Sequence, residues 1–205
     1  MPAFSNYGHD RLMVLAAAIL FSTGGAVVKA TTIGAWEVAG LRSAIAAVAI
    51  YLLLPEARRG WNHRTWIVGG AYAATMICFV FANKLTTAAN AIFLQGTAPL
   101  YVLLLSPVLL GERIRLRQLG FIAVIATGMV FFFVGSQPAS AIAADPATGN
   151  LFAAVSGLTY ALLIIGLRWI GAGGDDSGTA IAAVCAGNLL TATVATPMAF
   201  PYSTV

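Results

Sequence analysis

Hydrophobic positions along the chain gather into seven runs separated by short polar breaks. They are approximately Leu12–Ala30, Val38–Leu54, Trp66–Asn83, Ala88–Leu110, Leu116–Val134, Asn150–Ile170 and Thr179–Phe200. Each is close to the length of about 20 residues that an α-helix needs to cross a hydrocarbon core of roughly 30 Å. Helices are expected because they satisfy their own backbone groups where no water is present. A membrane barrel would show alternating segments of about ten residues, and runs such as Met129–Val134 do not alternate. The first run has the look of a secretory leader, but Lys29 closes it, no clear cleavage region follows, and six more runs come after it. The pattern predicts an all-α membrane protein, a multi-span helical bundle of about seven transmembrane helices.

Composition agrees with the pattern. Of 205 residues, 60% are hydrophobic and 9% charged, against roughly 25% charged in an average soluble domain. Mean hydropathy is +0.88. Eleven basic and seven acidic side chains are too few to cover a water-facing surface. Seven spans would use about 140 residues, which leaves short connections and no room for a folded extramembrane domain. The lipid bilayer is therefore the expected surrounding. The net charge of +4 does not point to nucleic acid, because the basic residues punctuate apolar runs and form no basic patch on a soluble face. Cys78 and Cys185 lie inside apolar runs far apart in sequence, as small hydrophobes do. No Gly-rich phosphate loop, metal cluster or nucleophile triad stands out. Enzyme chemistry, a cofactor and a metal are therefore not expected.

Cations set the expected orientation. Arg11 precedes the first run, Arg58, Arg59 and Arg64 lie between the second and third, Arg113, Arg115 and Arg117 between the fourth and fifth, and Arg168 ends the sixth. With alternating spans, all of these fall on one side. Only Lys29, Arg42 and Lys84 fall on the other side or in the interior. The amino terminus is expected in the cytoplasm of a multi-pass cell-membrane protein. A seven-helix receptor would place it outside, and a retinal protein would need a lysine in the seventh span, where Thr179–Phe200 has none.

The Pro-, Ala- and Ser-rich stretch SQPASAIAADPATG, Ser136–Gly149, divides the chain into five runs and two. A shift of 139 residues places Phe21 on Tyr160 and Lys29 on Arg168, so in each copy an aromatic precedes a terminal cation by about 12 Å of helix. A unit of five spans is odd, so a second copy must enter the membrane inverted. Inverted repeats with a midplane site are a recurrent transporter architecture.

The stretch Ala82–Phe133 resembles the EamA repeat of the drug/metabolite transporter superfamily. It has a short polar turn at Lys84–Thr87 followed by small residues. A helix with Pro99 then ends at Gly111–Glu112, and a fifth span holds Gly120 and Gly128. Upstream, FSTGGAVVK and Leu41–Arg42 look like the family's first and second helices. The resemblance implies a first repeat over residues 12–134, an external linker over 135–149 and the start of a second repeat over 150–205. Members of the common form have ten helices with both termini cytoplasmic. Second copies of the proline helix and the Gly-Glu landmark are missing here, so the second repeat is expected to be incomplete. The resemblance implies transport of small organic metabolites or drugs by alternating access. The alternative is a non-transporting membrane fragment or assembly subunit of the same fold. Homodimerisation is left open.

Polar residues inside the runs are the candidates for binding a small-molecule substrate. A lysine at membrane depth costs about 2.5–3.5 kcal/mol on insertion scales, which draws attention to Lys84 beside Asn83. Lys84 would meet an anionic group in a cavity or snorkel to the interface. Arg42, about one turn into the second run, faces the same choice between a substrate and a structural pair. Ser22, Thr23, Asn90 and Gln95 on the first repeat, with Tyr160 and Asn188 opposite, would recognise polar groups or hydrogen-bond between helices. Phe21, Phe79 and Phe93 would line an apolar pocket. Pro99 and Pro107 each remove a backbone donor and are the candidate hinges. No acid lies at the centre of any run, so coupling through a buried carboxylate has no support.

Overall fold

The computed structural model describes residues 11–16, 18–19, 28, 30–112, 116–135, 143–174 and 177–200. The seven helices named below are α1 (Ala35–Leu53), α2 (His63–Leu85), α3 (Ala88–Gln95), α4 (Ala98–Leu110), α5 (Leu116–Gly135), α6 (Pro146–Ala172) and α7 (Ser177–Met198). A 3-10 turn, Pro55–Arg58, joins α1 to α2, and residues 11–16 and 18–19 are also helical. Among the described residues, five segments are long and apolar enough to cross a membrane: Ala35–Leu53, His63–Leu85, Ala88–Leu110, Pro146–Ala172 and Gly178–Met198. A shorter apolar stretch, Arg117–Phe131, lies within α5. The all-helical, multi-span bundle expected from the pattern is the observed fold.

Local chemistry fixes the helix ends. The Asn62 side chain accepts the Thr65 N–H, and the Thr65 hydroxyl accepts the Asn62 N–H, so α2 starts on a reciprocal cap. The Glu37 carboxylate does the same for the Gly34 N–H at the start of α1. Asp145 caps α6 by accepting the Thr148 N–H. That helix begins at Pro146, earlier than the apolar run alone suggested, because proline suits a first turn that has no donor to lose. Gly111, in the left-handed region at φ 69°, ends α4.

The fourth run departs from the single helix read from sequence. It breaks at Gly96–Thr97 into α3 and α4. The Thr97 hydroxyl and N–H both turn back on the Leu94 carbonyl, and Pro99 two residues later offers no N–H to the Gln95 carbonyl. The discontinuity therefore lies just before Pro99, while Pro107 sits inside the helix Ala98–Leu110.

The pairings fix relative directions. Near the start of α2, Arg64 lies 4.7 Å over the ring of Trp169, near the end of α6. Further along α2, Thr75 meets Thr159, and just past its end Thr86 meets Asn150, near the start of α6. These two helices are antiparallel. In the same way Gly69 packs on Ala186 and Val80 clusters with Ala195, so α7 runs parallel to α2. Gly40 approaches Thr196 and Ala47 approaches Cys185, so α1 opposes α7. Ala91 clusters with Ala153, and Ala98 and Val102 with Ala161 and Ile165, so α3 and α4 run alongside α6. Every direction fits strict alternation of spans. The helix α5 rests chiefly on α4.

Candidate functional site

Alternation gathers Arg58, Arg64 and Arg168 at one end of the bundle. Arg58 donates to the Tyr51 and Leu52 carbonyls, Arg64 stacks on Trp169, and Arg168 pairs with Glu112 at 3.4 Å. The opposite end holds Lys84, whose ammonium donates to the Thr31 carbonyl at 2.6 Å and reaches its hydroxyl at 3.1 Å. There Lys84 sits half-buried in the last turn of α2, where a cation also complements the helix dipole.

Between these ends, polar side chains from both parts of the chain meet along one seam, where α2 and α3 face α6. At the level of α3's first turn, Asn150 Oδ1 accepts from the Thr86 hydroxyl at 2.9 Å and from Asn90 Nδ2 at 3.3 Å. Deeper in, Gln95 Nε2 donates to the Ser156 hydroxyl at 2.8 Å, and that hydroxyl donates to the Thr75 carbonyl at 3.2 Å. The Thr75 hydroxyl lies 3.0 Å from that of Thr159. All but Asn150 and Thr159 of these residues are buried. Asn83, fully buried on α2, donates to the Phe79 carbonyl at 2.9 Å, while its Oδ1 has no partner among the described residues. An orphaned buried acceptor in a chain this apolar is costly.

Of the residues singled out from sequence, the structure brings Asn90 and Gln95 onto this seam. Phe79 is buried in α2 and Phe93 half-buried in α3. Tyr160 follows seam residue Thr159 but is itself 41% exposed. Asn188 is buried in α7 and donates to the Val184 carbonyl. Arg42 lies on an exposed face of α1 and makes no hydrogen bond or ion pair with the described residues. It sits seven residues into the helix, about 10 Å from its start. Phe21, Ser22 and Thr23 lie outside the described residues. Thr75, Thr86, Asn150, Ser156 and Thr159 were missed by the sequence reading. Their signal was hydroxyl and amide residues recurring at helical spacing on two different runs.

Comparison with known proteins identifies the family. The EamA-like transporter family matches residues 11–134. The chain belongs to that family, and its fold is that of a drug/metabolite-type membrane protein. Pseudopaline exporter CntI of Pseudomonas aeruginosa, found in two strains, is 31% identical over 123 residues. The match covers 57% of this chain and 43% of the relative, so the chain spans less than half the length of these curated relatives. No solved structure matches the chain.

Proposed function

We propose that the protein transports a small organic metabolite across the cell membrane by alternating access between inverted repeats. Family membership points to transport and not to catalysis. The Pseudomonas relatives are named as exporters, which favours export of a small polar metabolite as the direction. The observation that carries the reading is the seam itself. It is a line of buried amides and hydroxyls joining α2 and α3 to α6 across the two parts of the chain.

The 139-residue shift that lays Phe21 on Tyr160 and Lys29 on Arg168 supports an inverted repeat. The same shift lays α1 on α7, and these two helices run antiparallel, as the members of an inverted pair must. The other pair, the runs Leu12–Ala30 and Asn150–Ile170, should be antiparallel as well.

In this reading Asn90 and Gln95 exchange their bonds with α6 for bonds to substrate, with Tyr160 and Asn188 on the opposite wall. Lys84 or Arg42 attracts a carboxylate or phosphate; Ser22, Thr23 and Phe21 remain candidates from the sequence that lie outside the described residues. The amino terminus and the arginine-rich end lie in the cytoplasm. Reporter fusions at Gly60 and Gln137 should read cytoplasmic and external, and the reverse would overturn the orientation. For transport, the protein is reconstituted into vesicles and challenged with a panel of labelled small metabolites. Flux of at least one above empty vesicles is expected. Its absence for every compound, from folded protein, would favour a non-transporting assembly role.

A further inference from the structure

A cavity of about 280 Å³ lies between α4, α5 and α6, with no residue of α2 in its lining, and the transport reading makes no use of it. Its apolar wall includes Val102, Leu103, Phe121 and Ile164, and Phe121 is 58% exposed, so the cavity opens sideways onto the apolar surface of the bundle. Two features distinguish it from an ordinary groove. Ser106 is on its wall, with its hydroxyl turned inward, buried and without a hydrogen-bond partner among the described residues. Beside it, Pro107 offers no N–H to the Leu103 carbonyl, so the wall carries an unused donor next to a weakened backbone bond. At its arginine-rich end the half-exposed pair of Glu112 and Arg168 closes the rim at 3.4 Å, too long for a tight charge-assisted bond.

We propose that this cavity binds an anionic glycerophospholipid from the surrounding leaflet. The phosphate sits on Arg168 in competition with Glu112, and an acyl-ester carbonyl accepts from Ser106 once rotation of that side chain turns its hydroxyl into the cavity. Ser106 lies four residues before the end of α4 at Leu110, about 6 Å along the helix, and Glu112 follows beyond the left-handed Gly111, which separates an ester level from a headgroup level as a glycerophospholipid requires. The volume is at or below the small end of the roughly 300–1,000 Å³ typical of pockets that enclose a whole ligand. It suits one segment of a lipid whose remaining chain stays in the bilayer. Basic pockets between transmembrane helices are a known setting for acidic headgroups.

The test compares retention of phosphatidylglycerol and phosphatidylcholine with matched acyl chains, read by native mass spectrometry of the purified protein. Phosphatidylglycerol should be retained in preference by about fivefold, the scale of one basic residue facing an anionic headgroup. Arg168→Gln should abolish the preference. Glu112→Gln should sharpen it, because the phosphate's competitor is gone. Ser106→Ala should lower retention of both lipids alike. If the ion pair merely holds α4 to α6, the Arg168 and Glu112 variants will behave the same way, which overturns the proposal. Equal retention of the two lipids by the parent protein overturns it too. Displacement by inorganic phosphate as readily as by short-chain phosphatidylglycerol would replace the lipid with a simple anion site.

Discussion

The helix α2 has two faces that solve the same problem differently. Toward α6 it presents Thr75 and, just past its end, Thr86, which bond to Thr159 and Asn150. Toward α7 it presents Gly69, with Val68 and Val80 in the flanking apolar clusters, against Ala183, Ala186, Gly187 and Ala195. In lipid there is no hydrophobic drive to bring helices together, so association rests on close packing and interhelical hydrogen bonds. The small-residue face depends on many contacts that are lost together when the helices separate. The polar face depends on a few directional bonds, averaging about 0.6 kcal/mol in one measured membrane system. Such bonds can be exchanged for bonds to a polar solute. The contrast assigns rigidity to the α2–α7 contact and exchangeability to the α2–α6 seam.

The largest effect is expected on the rigid face. A Cβ at Gly187 would lie 2.6 Å from Tyr72 Cβ and Cδ1, so Gly187→Leu should lose at least about 1–3 kcal/mol and most folded protein, read by size-exclusion of a fluorescent fusion. On the seam, Gln95→Leu should cost about 0.6–1.7 kcal/mol, seen as a modest fall in thermal midpoint with the fold retained. A greater loss at Gln95 than at Gly187 would break the comparison. Thr75→Val keeps the shape and removes the bond to Thr159, for about 0.6 kcal/mol. Combined with Thr159→Val it should cost little more than either change alone, since both remove the same bond.

The smallest effect belongs to the cap of α6. Hydrogen bonds from the Thr148 side chain and N–H hold the Asp145 carboxyl below the usual carboxylate range. A depressed folded pKa stabilises the protein above the unfolded value of about 3.9 and loses that contribution as pH falls through the lower folded value. Asp145→Asn, which can still cap, should abolish this acid-dependent component below about pH 4 while leaving the neutral-pH midpoint nearly unchanged.

Five of the seven expected spans, the second, third, fourth, sixth and seventh runs, were legible in the sequence because hydrophobic run length and bilayer thickness share one scale. The alternation of Arg58, Arg64 and Arg168 to one end followed from the same runs. The break at Gly96–Thr97 was not legible, since Pro99 and Pro107 both announce a lost donor and only tertiary contact with α6 decides where the chain yields. Asn90 and Gln95 were visible as amides in an apolar run. Their partners were not, because Thr75, Ser156 and Thr159 are common residues of membrane helices and only the antiparallel register of α2 and α6 gives them meaning. Arg42 stood out for its charge, yet it lies on α1, away from the seam.

The most direct test of the seam as the substrate path is vesicle transport by Asn90→Ala and Gln95→Ala proteins, at matched amounts of folded protein. The account predicts a raised apparent KM or abolished flux in both. Unchanged flux in both, with Arg42 and Lys84 substitutions equally silent, would contradict it and leave these side chains as packing groups.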